Sequence, residues 1–472
     1  MSESPIQQQS VAIVGGGLAG LSAAAALCER GLKVEFFEAR QSLGGRAGSF
    51  VDPNTSEMVD HCQHVGMECC TNLHDFFRQT GIDQYFQRYN VLHFFGPDGR
   101  RFDFRSSWWL PAPLHLGPAL MRLKYLTFSE RLVIPRVMLK LARTTGPENT
   151  DSPTVGDWLR EENQSEQVIE RFWSVVLVSA LGESIDRASL SAARKVFVDG
   201  FMNHRRAYHI NVPTIPLGEL YEHVSDWLTE RGVTIHCGQP IKQLLFDDDR
   251  FTRVRLANET TSEFDFVIVA VPWKRLPDLL PEDVDQLLPQ RAVATQISSA
   301  PITAVHLWFD QPITALPHAV LIGRLSQWLF NHGETTLAGE PATAHNYQVV
   351  ISASHELSGR DREDVLREVG EDLASIWPLA NDANLLHWKV VTQRDAVFSF
   401  EPGLDNIRPD QTAPIDNLML AGDWTKTGWP STMEGAVRSG RLAAEGVLRK
   451  IGRNEKLLVA DLPRNWFVRC LI

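Results

Sequence analysis

No run of about 18 uncharged apolar residues occurs anywhere in this 472-residue chain, so no segment is suited to cross a bilayer as a helix. Excess positive charge is missing too. With 46 Lys and Arg against 58 Asp and Glu, the formal net charge is −12, and phosphate-rich partners such as nucleic acid would be repelled. Cysteine is sparse and without framework spacing: Cys28, Cys62, Cys69, Cys70, Cys237 and Cys470. The opening MSESPIQQQS is polar rather than a secretory leader, and with those thiols it implies a reducing, cytoplasmic setting. Internal repeats are absent. What is present is an ordinary globular composition, 43% hydrophobic and 22% charged, in a chain long enough for two domains.

The first chemistry lies in VAIVGGGLAGLSAAAALCERGLKVEFFEAR, residues 11–40. Val11 to Val14 suit a buried parallel strand, and Gly15-x-Gly17-x-x-Gly20 follows at once. An Ala- and Leu-rich helix runs to about Arg30, Gly31 ends it, and Val34 to Phe37 form a second strand closing on Glu38. Gly15 permits the tight turn, Gly17 lets backbone approach a pyrophosphate, and Gly20 lets helix and strand pack closely. Helix N–H groups then face the phosphates, and Glu38 accepts hydrogen bonds from a ribose diol. A glycine turn with no ligand would leave Glu38 unexplained, so the segment is read as dinucleotide-binding.

Two further pieces specify the dinucleotide. SLGGRAGSF (Ser42 to Phe50) adds Gly44 and Gly45 for another close approach and Arg46 as a fixed cation. This element resembles that of flavoproteins of the amine oxidase and carotenoid desaturase type. Far along the chain, LMLAGDWTKTGWPSTMEGAVRSGRLAAEGVL offers a strand over Leu418 to Ala421, then Gly422-Asp423, then a helix opening near Thr432 and Met433. In the resembled families this aspartate contacts the ribityl and phosphate region, and the helix N-terminus faces the flavin's pyrimidine edge. The expected cofactor is therefore FAD, and the expected contacts are Gly15, Gly17, Leu18, Ala19, Gly20, Glu38, Ala39, Arg40, Gly44, Gly45, Arg46, Ile241, Gly422, Asp423, Thr432 and Met433. Ile241 stands where relatives place an apolar adenine contact, and plain strand packing explains it equally well.

The expected fold is α/β: a Rossmann-type FAD-binding domain of the glutathione reductase or amine oxidase kind, interleaved with an α+β substrate-binding domain. Residues 1–75, 206–290 and 406–450 would form the first, residues 76–205 and 291–405 the second, and 451–472 a C-terminal tail. Within the second, PITAVHLWFDQPI and NYQVVISASHEL look like strands, Arg360 to Ile376 a helix, and FDDDRF a hairpin turn. The segment 106–143 stands apart, with six cations (Arg122, Lys124, Arg131, Arg136, Lys140, Arg143) against one acid, Glu130. Prolines at 111, 113, 118 and 135 should break it into short helices. An apolar face beside basic residues, with Trp108 and Trp109 at headgroup level, suits a membrane surface, and surface helices covering the substrate domain are the plainer alternative.

The loop HCQHVGMECC (His61 to Cys70) is rich in ligand types, but no second cluster accompanies it, so no metal is expected. Adjacent Cys69 and Cys70 should point apart on a strand or helix and act as small apolar fillers.

WWLPAPLHLGPALMRLKYLTFSERL, ERFWSVVLVSAL followed by RAS, VPTIPLGELY and AGDWTKTGWPSTMEGAVRSGRLAA together resemble hydroxysqualene dehydroxylases, a squalene-associated FAD enzyme family related to phytoene and zeta-carotene desaturases. The resemblance covers all but the termini. It departs where Cys62-Gln63-His64 and Glu68 replace a Gly-Gln-His with a later glycine, and where Asp395 to Phe398 read DAVF. It implies reductive removal of an allylic hydroxyl from hydroxysqualene on the way to hopanoids or sterols. That reaction needs an apolar tunnel, a proton for the leaving hydroxyl, and a reductant for FAD. A second GxGxxG is missing, so NADPH must dock transiently or another protein must supply the electrons. His64 is the candidate catalytic acid, with Glu183, Asp199 and Arg205 as alternatives. Expected partners are a long isoprenoid, a membrane surface bound peripherally from the cytoplasm, and squalene-pathway enzymes. Rival functions are a carotenoid desaturase or isomerase, a flavin amine oxidase, and a non-enzymatic prenyl-lipid carrier.

Overall fold

The computed structural model describes residues 8–146, 150, 153–281, 284, 286–336 and 343–472; most of the polar leader lies outside the described residues. Its first organising element is a five-stranded parallel sheet. In spatial order the strands are Thr234–Cys237, Lys33–Glu38, Ser10–Val14, Phe266–Val269 and Leu418–Leu420. Val11 pairs with Val34 on one side and Phe266 on the other, and Val267 pairs with Leu418. Val11 to Val14 and Phe266–Val269 are apolar because both faces of the sheet are covered, one by helices and the other by Leu244, Phe251 and Val254 of a small antiparallel sheet. Helices Leu18–Cys28 and Met433–Lys450 pack closely, and Ser22 donates across to the Val437 carbonyl at 3.0 Å. The first and last helices of the sheet thus share one layer.

Beside this sheet, strands Ile241–Asp247, Arg250–Leu256 and Thr261–Glu263 form a small antiparallel sheet. FDDDRF makes its hairpin: Asp248 and Asp249 both take positive φ, 50° and 61°, as a two-residue turn of the matching twist requires.

The second large sheet has seven strands in the order Leu385–Phe398, Ser299–Phe309, Thr343–Ser352, Trp328–Thr336, His318–Leu321, Leu92–Phe95 and Arg101–Phe104. One face is closed by helix Arg362–Ile376, whose Val365, Val369 and Leu373 meet Val305, Leu307 and Ile351. The other face turns toward the parallel sheet. Gln393 from the edge strand donates to the Arg46 carbonyl at 3.3 Å, and Lys389 to Asp52 at 2.6 Å. Between the two halves, Ile210–Pro213 pairs with Gly66–Met67 and Phe86–Tyr89, so residues 210–213 join a bridging sheet rather than the parallel one.

The segment 106–143 contains a short helix, Gly117–Met121, and then Phe128–Arg143. Pro135 does not break the latter, contrary to expectation. It is exposed, so the turn that loses a backbone bond faces outward, and Thr127 and Glu130 brace the N-terminus as a capping box. Ile134, Val137 and Leu141 face inward. The tail helix Trp466–Leu471 docks here, with Asn465 donating to the Ala112 carbonyl at 3.1 Å and Arg143 to that of Leu471 at 2.9 Å. Among the described residues no helix is long and apolar enough to cross a membrane.

Candidate flavin and substrate site

The glycine-rich loop and the GG-Arg element meet. Gly44 N donates to the Gly16 carbonyl at 2.7 Å, and a Cβ on Gly45 would stand 3.2 Å from Gly17 Cα. Gly15 holds φ at +116° with its Cα against Ala270, where a side chain would collide with the carbonyl. Over Gly17, by contrast, a Cβ would meet only open space. Gly17 is also the N-cap of helix Leu18–Cys28 and offers it no side-chain acceptor, so the first N–H groups of Leu18, Ala19 and Gly20 are left for an anion. Glu38 lies alongside, its carboxylate accepting from Gly16 N at 2.5 Å and Arg40 N at 2.8 Å. Ala39 and Arg40 are exposed at the strand's end, and Arg40 reaches the Gly45 carbonyl at 3.1 Å. Gly238 N donates to the Arg40 carbonyl at 2.8 Å, which brings buried Ile241 to the same end. An uncapped helix terminus, an open floor and a carboxylate beside it fit the pyrophosphate and ribose of a dinucleotide.

The far piece closes on this cradle. Arg46 ion-pairs with Asp423, which also accepts from Ser431 Oγ, and its guanidinium lies 5.3 Å from the Trp273 ring. Helix Met433–Lys450 begins at Thr432, whose hydroxyl accepts from Gly435 N at 3.1 Å and leaves the earlier N–H of Met433 for a ligand. Gly422 adopts φ +135° so that the loop can turn into Asp423. That loop is held by Arg408, a residue sequence reasoning missed. Its buried guanidinium donates to the carbonyls of Asp423 (2.8 Å), Trp424 (3.3 Å) and Thr425 (2.5 Å) and pairs with Asp405 at 3.0 Å. The signal available in sequence was faint, one arginine 15 positions ahead of Asp423.

In the loop that follows Arg46, His64 donates from Nδ1 to the Cys62 carbonyl at 2.8 Å, which leaves Nε2 as the acceptor. Burial pushes its pKa below the usual histidine value, and the charges of Arg46 and His61 push the same way against the Cys62 carbonyl. The alternatives are engaged elsewhere. Glu183 is buried and tied to His355 Nε2 (3.0 Å) and Ser399 Oγ (2.6 Å). Asp199 pairs with Lys195 at 2.6 Å, and Arg205 donates to the Ser107 carbonyl at 3.0 Å. Cys69 and Cys70 do not point apart: the Cys69 thiol is near enough that it, with burial, raises the Cys70 pKa. Neither strand nor helix geometry holds between them, because Cys70 is an N-cap with ψ 67°. Among the described residues no three His, Cys, Asp or Glu side chains converge as a metal site.

The inward face of the seven-stranded sheet carries an apolar patch. Cys62 packs on Ala304, Phe330 and Val350, with Val65, Val212, Ile302 and Trp328 around them. Trp328 and Phe330 stack at 5.5 Å. Trp328 Nε1 donates to Ser179 Oγ at 2.8 Å, which ties the sheet to helix Val175–Leu181. A site between this face and the flavin cradle would exclude water and grip hydrocarbon.

Comparison with known proteins agrees with this geometry. The family described as flavin containing amine oxidoreductase matches residues 18–448. A 15-cis-phytoene desaturase of Synechococcus elongatus is 26% identical over 93% of this chain and 96% of its own length. A hydroxysqualene dehydroxylase of Rhodopseudomonas palustris is 27% identical over 93% of this chain and 98% of its own. In three dimensions the chain is similar to cyclohexylamine oxidase from Brevibacterium oxydans, with a TM-score of 0.68 at 17% identity over 94% of this chain and 100% of that one. With its glycine cradle and Arg46–Asp423 closure, the chain belongs to the flavin containing amine oxidoreductase family and is an FAD-dependent oxidoreductase.

Proposed function

We propose that the chain acts on a long isoprenoid and removes the allylic hydroxyl of hydroxysqualene to give squalene, a step toward hopanoids or sterols. The observation that carries this reading is the apolar sheet face of Ile302, Ala304, Trp328, Phe330 and Val350 opposite the flavin cradle. The relative from Rhodopseudomonas palustris supports it. Protonation of the hydroxyl and loss of water leave a delocalised cation, and a hydride equivalent then gives the hydrocarbon. Bound reduced flavin supplies that hydride, and NADPH or a partner protein supplies its electrons. The chain's own residues keep water from the cation, and the stacked faces of Trp328 and Phe330 suit a delocalised positive charge. His64 is the proposed proton carrier, beside Arg46 and the flavin loops.

The test is anaerobic incubation of the reduced, flavin-loaded protein with hydroxysqualene, followed by mass spectrometry of the products. Squalene is expected, and its absence sinks the reading. Similarity to the Synechococcus protein favours a second reading, phytoene-type desaturation. Desaturated product from phytoene and none from hydroxysqualene would select it.

Substrate this apolar must come from a lipid phase, and one surface is shaped for contact with it. Trp108 (82% exposed), Trp109, Leu114, Phe128, Leu132 and Val133 leave apolar area uncovered on 106–143, with Trp466 on the docked tail helix. Arg136, Lys140 and Arg143 are exposed on the same segment. We place the protein on the cytoplasmic face of a membrane, peripherally bound and near other squalene-pathway enzymes. Flotation with anionic phospholipid vesicles should carry the protein, and replacing Trp108 and Trp109 by Ala should reduce the bound fraction several-fold. Equal flotation of the double variant contradicts the placement.

A further inference from the structure

The inward sheet face mixes apolar and polar rows, and one polar row is fully buried at its centre. By register, Lys389, His306, Gln348 and Phe330 stand side by side across four strands. Lys389 is engaged by Asp52. His306 and Gln348 are 2% and 0% exposed, and Gln348 Nε2 meets His306 Nε2 at 3.0 Å. Among the described residues the Gln348 side-chain carbonyl oxygen has no partner. The loop lying on this spot brings a second such group. Cys62 covers Ala304, Phe330 and Val350, the neighbours that ring Gln348. Next to it, buried Gln63 donates from Nε2 to the His64 carbonyl at 3.2 Å, and its Oε1 has no partner among the described residues.

Nearly every buried polar atom in a folded protein finds a partner, because an unmatched one forfeits its bond to water without replacement. Unmatched amide oxygens on Gln348, on Asn346 in the next row, and on Gln63, one residue along from the Cys62 that packs on this face, are what a site leaves open for a ligand's donor. We propose that Gln348, braced by His306, and Gln63 accept the hydrogen bond of a hydroxyl on an otherwise hydrocarbon substrate, and so select long isoprenoid alcohols over hydrocarbons of equal length. The proposal rests on the isoprenoid reading and deepens it. Burial keeps His306 neutral, its pKa near 3, so a ring lone pair is available to hold the Gln348 N–H and orient the carbonyl. A site built to pair a hydroxyl discriminates against the analogue that lacks it, because its own polar atoms are then stranded.

Dissociation constants for hydroxysqualene and squalene, read by tryptophan fluorescence in the flavin-loaded protein, test this in wild type, Gln348→Met and Gln63→Met. The wild type should favour the alcohol by about tenfold or more. Each variant should lose most of that preference while squalene affinity and flavin content hold. A wild type without preference, or variants that keep it, overturns the proposal. If Gln348→Met does not fold or hold flavin, Gln63→Met decides alone. A wild type that prefers the alcohol but never dehydroxylates it would remove the reaction proposed above and leave this recognition standing.

Discussion

His64 illustrates how surroundings set what one side chain can do. Its Nδ1 proton is committed to Cys62, and burial with the Arg46 charge keeps the ring neutral at rest. An imidazolium formed there would surrender its proton readily, so the residue suits a reaction that consumes one proton per turnover. His64→Ala should retain flavin and lose about 10²- to 10⁴-fold in kcat. In the wild type, kcat should climb as pH falls below 6.5, toward the lowered pKa. Unchanged kcat in the variant would return His64 to packing. Arg408 acts differently. It touches three consecutive carbonyls, of Asp423, Trp424 and Thr425, and so positions the carboxylate that Arg46 pairs with.

Some elements are completed by residues far away in the chain. Helix Leu217–Thr229 starts after Pro216 and has no side-chain cap of its own. The hairpin of Ser49–Val51 and Met58–Asp60 supplies one: Asp60 accepts from Leu217 N at 2.9 Å and Ser49 Oγ at 2.6 Å, and Ser49 Oγ accepts from Gly218 N at 2.7 Å. Burial nevertheless lifts Asp60 to about 6, against the pull of those bonds. A carboxyl raised in this way contributes stability that is full below about 3.8 and is lost as pH rises through 6. Asp60→Asn keeps an acceptor and avoids that loss. Urea unfolding should show it more stable than wild type by about 3 kcal/mol at pH 8, with no gain below pH 4. Equal stability at pH 8 would refute the burial account.

The same long-range logic explains what the sequence could and could not reveal. Gly15, Glu38, Arg46 and Asp423 were legible because dinucleotide chemistry demands particular residues within short motifs. The pairing of His306 with Gln348 was not, because it depends on the register of strands 42 residues apart. Pro135 misled because the rule against proline in helices weakens on a solvent-facing turn. Cys69 and Cys70 misled because a turn, not a regular element, sets their direction.

For the molecule as a whole, buried histidines determine behaviour in acid. His115, His306 and His318 are almost fully buried and depressed by burial to about 4, 3 and 4. Their contribution is complete above pH 6.5 and erodes as pH falls toward 4, since only the unfolded chain takes up the protons there. Each costs about 1.4 kcal/mol per pH unit in that window. Calorimetry should therefore show Tm falling steeply between pH 6.5 and 5, and a flat profile would contradict the burial of these rings.

The parallel sheet is assembled from strands that a ribosome releases at very different times. Ser10–Val14 emerges first, its neighbour Phe266–Val269 after more than half the chain, and Leu418–Leu420 with Asp423 near the end. The N-terminal glycine cradle therefore waits through most of translation for the strands that flank it and the carboxylate that closes it. A nascent or truncated chain ending before Leu418 would expose the apolar flank of Phe266–Val269 as an unpaired edge and have no closed seat for FAD. Closure of the cradle therefore requires a chain made at least through Asp423.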